Sequence, residues 1–198
     1  ALSFDLGVIY YYYPKEQQLF SAAGVLGTPL FTTPTAFPFT LGNTDYYEVY
    51  GKVSYAFNDS FSVGANVFYS PSWLNTGADG TYGSLTAKYT APAGLLGSDL
   101  GMYVSGEVGH YWLGTGTNGV AAGVIFPDYN TWNVGVGFTW KVFTLDLRYY
   151  DTDMNKATCF AVGGDPKGFT NGTAQSNWCD ATFIAKLSFD LTAATNLK

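Results

Sequence analysis

Residues 143–150 read Phe143-Thr144-Leu145-Asp146-Leu147-Arg148-Tyr149-Tyr150. Phe143, Leu145, Leu147 and Tyr149 fall on one side of an extended chain, and Thr144, Asp146, Arg148 and Tyr150 on the other. A period of two defines a strand whose faces meet two different environments. In a soluble sheet the apolar side would point at a core. In a membrane barrel it would point at lipid, with the polar side lining the lumen.

The same alternation recurs through the chain. Eight strands are expected: Leu2–Tyr13, Tyr46–Phe57, Phe61–Ser70, Thr81–Ala91, Asp99–Leu113, Thr131–Trp140, Val142–Thr152 and Ala181–Leu191. Most are longer than the five or six residues usual in globular sheets. A strand tilted across a bilayer needs about 9–11 residues. The connections sort by length. Asn58-Asp59-Ser60, Pro92–Ser98 and Lys141 are short, whereas Pro14–Asp45, Pro71–Gly80, Gly114–Asn130 and Asp153–Asp180 are long. Short turns on one side and long loops on the other match the asymmetry of bacterial outer-membrane barrels. The fold class expected is therefore all-β, an antiparallel transmembrane β-barrel forming one domain over residues 1–198. The competing reading is a Tyr-rich soluble β-sandwich.

Composition agrees. Only 12% of the 198 residues are charged, against about 25% in typical soluble domains. Aromatic residues reach 18% and there are 24 glycines. The net charge of −6, with no basic patch, argues against nucleic acid. No apolar run is long enough for a membrane-spanning helix, and no signal peptide is evident. The chain opens directly in a strand, so Ala1 reads as either a mature terminus or a truncation.

Aromatic residues gather at strand ends. Tyr10–Tyr13, Tyr46, Tyr47, Tyr69, Trp73, Tyr111, Trp112, Trp132, Tyr149 and Tyr150 lie toward the loops. Phe57, Phe61, Tyr89, Phe138, Trp140, Phe143 and Phe189 lie toward the turns. Two such bands resemble interfacial girdles. The first long loop, with Pro14, Pro29, Pro34 and Pro38, is a poor helix or strand former. Its Phe31, Phe37 and Phe39 call for packing over or into the barrel mouth.

Opposite the apolar stripe lie the expected pore-lining charges: Asp5, Glu48, Glu107 and Asp146 against Lys52, Lys88, Arg148 and Lys186. Enclosed charges must pair or be bathed in water. Eight strands would enclose little beyond side chains, giving a sealed, salt-bridged interior; more strands would open an aqueous channel of weak selectivity. Arg148 and Lys52 are expected to face acidic neighbours across the lumen and set its constriction. Cys159 and Cys179, the only cysteines, fall in one loop and are expected to form a disulfide in an oxidising compartment.

Three smaller features have bland readings. His110 falls on the outward face beside Trp112, without a nucleophilic partner, and reads as interfacial. Gly114–Gly119 matches GxGxxG but no helix follows, so it is read as a flexible loop. Asp151-Thr152-Asp153-Met154-Asn155 alternates oxygen ligands but lacks the rest of a calcium loop. Asp45, Asp79, Asp128, Asp153, Asp165 and Asp180 make the loop side acidic, weakly attractive to cations. Neither an enzymatic site, a metal site nor a cofactor is expected.

The runs LGVIYYYYPKEQQ (6–18), YYEVYGKVSYAFNDSFSVGANVFYSP (46–71), YVSGEVGHYWL (103–113), NTWNVGVGFTWKVFTLDLRYYDTD (130–153) and FIAKLSFDL (183–191) together resemble the TorF family of porin-type proteobacterial outer-membrane proteins. The resemblance implies a bacterial outer-membrane location, with lipid and lipopolysaccharide as surroundings and ions or small hydrophilic solutes as passengers. It also implies further N-terminal strands ahead of Leu2, for about twelve in all, so this chain is expected to hold part of a barrel. Closure with the eight strands of this chain, or closure by another chain as a homo-oligomer or with an envelope protein, are the other possibilities. The alternative function is a non-conducting barrel whose loops, held by Cys159–Cys179, bind a partner.

Overall fold

The computed structural model describes residues 1–14, 18–21, 39–97, 99–163, 165, 167–168 and 173–191. Its framework is a single antiparallel sheet of eight strands: β1 (Leu2–Tyr11), β4 (Tyr46–Ala56), β5 (Phe61–Ser70), β6 (Gly80–Thr90), β7 (Leu100–Leu113), β8 (Tyr129–Trp140), β9 (Phe143–Thr152) and β10 (Thr182–Phe189). A small hairpin, β2 (Gln18–Ser21) with β3 (Phe39–Gly42), stands apart within the first long connection. Each large strand pairs with its sequence neighbours in the sheet, so the topology is a meander. The sheet is open: β1 and β10 form its two edges.

Every expected strand is present, with no end displaced by more than two residues. β1 stops at Tyr11 because the chain leaves the ladder there: the Tyr13 N–H donates to the Asp45 carboxylate at 2.7 Å, and Pro14 follows. The short turns have local causes. Asn58 folds its side-chain oxygen back to accept from the N–H groups of Ser60 (2.9 Å) and Phe61 (2.8 Å), closing the β4–β5 connection. Between β8 and β9 only Lys141 and Val142 turn the chain, and Lys141 takes a left-handed conformation with φ 53°. Gly94 and Gly97, at φ 87° and 106°, supply the positive angles of the β6–β7 connection.

Two expectations are corrected in the loops. The first long loop was read as a poor strand former, yet it contains β2 and β3; Phe31 and Phe37 lie outside the described residues. The last long loop contains a helix, α1 (Lys156–Gly163). Asn155 caps it by accepting from the Thr158 N–H at 2.9 Å. The Cys159–Cys179 disulfide ties the helix to the chain entering β10.

Burial is inverted relative to a soluble sheet. Buried apolar residues are few among the described ones, and Trp73, Ala78, Leu113, Ala121 and Phe126 cluster together at the loop end of the sheet. Along the strands the apolar face is open. Leu6 is 80% exposed, Leu85 63% and Leu187 70%, and Val67, Val108 and Val134 are exposed as well. Among the described residues, no layer of the fold covers this surface.

Candidate functional site

Residues directly opposite in an antiparallel ladder share a face, so the register assigns each predicted site residue to a side. Asp5 lies opposite Lys52, Lys52 opposite Asn66, Lys88 opposite Ser105, Glu107 opposite Asn133, and Asp146 opposite Lys186. Glu48 and Arg148 keep the same parity on β4 and β9. All eight predicted charges therefore occupy one polar face, and the stripe of Val, Leu and Phe occupies the other.

Besides one ion pair, tyrosines and aromatic rings hold these charges. Tyrosine hydroxyls meet each of the four carboxylates. Tyr50 donates to Asp5 (3.3 Å), Tyr82 to Glu107 (3.2 Å) and Tyr103 to Asp146 (2.7 Å). Glu48 receives two, from Tyr11 at 2.9 Å and Tyr111 at 3.1 Å. Two lysines lie on aromatic faces. The Lys52 ammonium sits 4.6 Å from the Tyr50 ring centre and 5.3 Å from that of Phe68, and Lys88 sits 4.3 Å from that of Tyr103. Cation–π attraction favours this placement. Alternation places these residues on one face, but which side chains touch depends on how far each can reach.

Arg148 is also corrected. Its acidic partner lies on its own strand, two residues away. Asp146 accepts from the Arg148 Nε at 3.0 Å and from its Nη2 at 2.9 Å, a bidentate pair. The guanidinium continues to Asn133 Oδ1 (2.6 Å) on β8 and Ser105 Oγ (2.7 Å) on β7. This network lies along the wall across three strands, which locks the residue in place. Lys52, drawn onto its rings, likewise stays at the wall.

Glycine makes the wall thin where rings lie down. A Cβ at Gly137 would run into the ring of Tyr103, directly opposite on β7, and one at Gly109 would run into Tyr82. The face also curls inward. Three strand spacings amount to about 14 Å along a flat sheet, yet the Tyr111 hydroxyl on β7 bonds Glu48 on β4, with β5 and β6 between. Side chains stand roughly perpendicular to a sheet, so curvature with the polar side concave brings those tips together.

The loop end of this concavity is capped, a feature the sequence reading missed. Trp73, Leu113, Phe126 and Ala121 pack together, and Trp73 rests against Tyr111 with ring centres 6.1 Å apart. Beneath them Tyr11 stacks on Tyr46 (4.6 Å) and Tyr111 on Tyr129 (5.5 Å), enclosing Glu48 to 5% exposure. The connections at 71–79 and 114–128 are laced together. Thr76 O accepts from the N–H groups of both Thr117 and Asn118 at 3.0 Å, and Asp79 O accepts from Gly114 at 2.9 Å. The GxGxxG stretch is thus a packed strap: Gly116 donates to Val124 O at 2.8 Å and accepts from Gly123 at 2.8 Å. Of the aromatic band expected near the loops, Tyr10, Tyr47, Tyr69, Trp112 and Trp132 face outward, while Tyr11, Tyr46, Tyr111 and Tyr150 face the concavity.

Several loop aspartates act as staples. Asp128 accepts from the Leu113 N–H (2.7 Å), and Asp165 from the Lys167 N–H (2.9 Å) and Ser176 hydroxyl (2.8 Å). Asp153 accepts from the Asn130 N–H at 2.8 Å and from its side-chain amide. Burial pushes the Asp153 carboxyl upward, but these hydrogen bonds prevail and hold it below the usual carboxylate range. Asp151 Oδ2 accepts from the Tyr149 hydroxyl at 2.7 Å, so the candidate calcium run spends its oxygens on protein donors. His110 stacks on Trp112 (4.6 Å between ring centres), and its Nδ1 lies 2.8 Å from Asn130 Oδ1. No family model, curated protein or solved structure matches this chain.

Proposed function

We propose that the chain forms the wall of a β-barrel in a bacterial outer membrane, through which ions and small hydrophilic solutes diffuse. One observation carries the reading: a long apolar sheet face, exposed among the described residues, backs onto a concave polar face that collects the charges. Soluble monomers rarely expose contiguous apolar patches beyond a few hundred Å². Lipid is the environment in which such a face is stable. Outward Tyr and Trp near the loops, with Phe57, Phe61, Tyr89, Trp140 and Phe143 near the turns, suit the two headgroup levels. The resemblance to TorF-type porins points the same way.

Carboxylates bonded to tyrosines, beside lysines on ring faces, give the wall both signs of charge. Weak ion selectivity follows. Liposome swelling tests the reading: purified protein in vesicles should admit small sugars and ions, and vesicles as tight as protein-free ones would refute it.

The cap over Glu48 favours a second reading, a non-conducting barrel whose laced loops bind an envelope partner. Impermeable vesicles, together with binding that is lost when residues 71–79 or 114–128 are altered, would establish it in place of the first.

A further inference from the structure

We infer that the concave face carries a ramp for linear oligosaccharides: a row of aromatic rings from Tyr50 to Tyr129, edged by a parallel row of hydrogen-bonding side chains. The inference rests on the membrane-pore reading above, and it gives that pore a class of passenger that it binds as well as admits.

The row follows from register. Tyr50 lies opposite Phe68, Phe68 opposite Tyr82, Tyr82 opposite Tyr111, and Tyr111 opposite Tyr129, so the neighbouring strands β4 to β8 each place one ring in line. Successive ring centres are 5.5, 6.2, 5.5 and 5.5 Å apart. Each of these rings is half-buried, so part of it is open to the concavity. Two of them lie down on glycine: a Cβ at Gly7 would run into Tyr50, and one at Gly109 into Tyr82. Carboxylates hold the hydroxyls, Asp5 that of Tyr50, Glu107 that of Tyr82 and Glu48 that of Tyr111. The rings are thus fixed before any solute arrives, and a preorganised surface binds at lower entropic cost.

A second row runs beside the first, two residues nearer the turns and so about 7 Å away. Lys52, Asn66, Ser84 and Thr131 line it in register, with Gly109 between the last two. A sugar unit has the matching construction, an apolar face of C–H groups and a rim of hydroxyls. A flat aromatic solute would use the rings and leave the second row unpaired. An organic cation would meet Lys52, whose ammonium already lies over Tyr50 and Phe68. A neutral linear glycan uses both rows at once. Four strand spacings make the ring row about 19 Å long. Barrel strands tilt about 40° from the axis, so a row at right angles to them climbs the wall, and a glycan sliding along it advances about 12 Å along the pore.

Titration calorimetry of the folded protein in detergent micelles, with glucose, maltotriose and maltohexaose as probes, tests this. Saturable binding is expected, strengthening about tenfold or more from glucose to maltohexaose as successive sugar units cover successive rings. Phe68→Leu keeps apolar bulk but loses the flat face, and should weaken maltohexaose about two- to tenfold. Tyr82→Leu should do the same, and Tyr82→Phe should restore most of the loss. Tyr89→Ala, which removes a ring from the outer face, should leave binding unaltered. Circular dichroism checks that each variant keeps its sheet. Four outcomes overturn the inference: no saturable binding, equal affinity for all three sugars, folded Phe68→Leu and Tyr82→Leu proteins that bind like the parent, or tetramethylammonium bound more tightly than maltohexaose. Vesicle swelling with arabinose separates the two proposals. Vesicles that admit arabinose, made from protein that binds no oligosaccharide, defeat the ramp and leave the pore. Ring-dependent binding by protein whose vesicles stay tight defeats the pore and leaves the glycan site.

Discussion

Replacing Leu85 by arginine asks directly what the apolar face touches. Leu85 is the sixth of eleven residues in β6, five positions from either end, and its side chain is 63% exposed. Five residues rise about 17 Å along a strand. With a tilt of about 40°, that is about 13 Å along the membrane normal, half of the roughly 25 Å apolar band. In the proposed membrane orientation Leu85 would lie at the midplane, where an arginine on the lipid face costs about 2–4 kcal/mol. That range lowers the folded-to-unfolded ratio by a factor of about 30 to 1,000. A solvated surface position would register within about 0.5 kcal/mol. The assay is reversible guanidinium unfolding from lipid vesicles, followed by tryptophan fluorescence. Thr86→Lys is the control, one residue along, on the polar face opposite Glu107; it should change stability little. A Leu85→Arg variant as stable as the parent would mean that the apolar face meets water, and the membrane reasoning would fail.

Glu48→Gln leaves the shape of the capped end intact but replaces one of the two oxygens that accept from Tyr11 and Tyr111; about 1–2 kcal/mol of stability should be lost, and an unchanged unfolding midpoint would show that these bonds contribute nothing. Reducing Cys159–Cys179, which closes a separation of 20 residues, should release about 3 kcal/mol of loop constraint. Amide exchange should then quicken in 153–181 while β4–β8 stay protected; unaltered exchange in that loop would refute the local role. Asp153 has a folded pKa below its unfolded one, so its contribution is complete above the ordinary carboxylate range and is lost as pH falls through the depressed value. Corrected for intrinsic rate, exchange at the Asn130 amide should rise through that acid window, and a flat profile would contradict the assignment.

Much of the framework was legible because a strand's two faces are written at alternate positions. The run from Phe143 to Tyr150 gives its own register parity, and Asn58 and Lys141 mark turns by local chemistry alone. Cys159 and Cys179 could pair because nothing else was available. Contacts were less legible. Arg148 could have met any of four carboxylates by parity, and the choice of Asp146 follows from a bidentate reach along its own strand. That Lys52 and Lys88 lie on rings needed the rotamers of Tyr50, Phe68 and Tyr103. The glycines beneath those rings carry no outward sign of their role in sequence.

The chain by itself determined which residues share a face, where the strands begin and end to within two residues, and that one face is greasy and the other polar, since these follow from spacing along a single extended backbone. The tertiary structure decided that the sheet curls with its polar side inward, that Trp73 and Phe126 meet over Glu48, and that β1 and β10 are left as open edges. Those outcomes depend on distances between residues far apart in sequence, set by accumulated twist and by ring packing, and no local pattern records them.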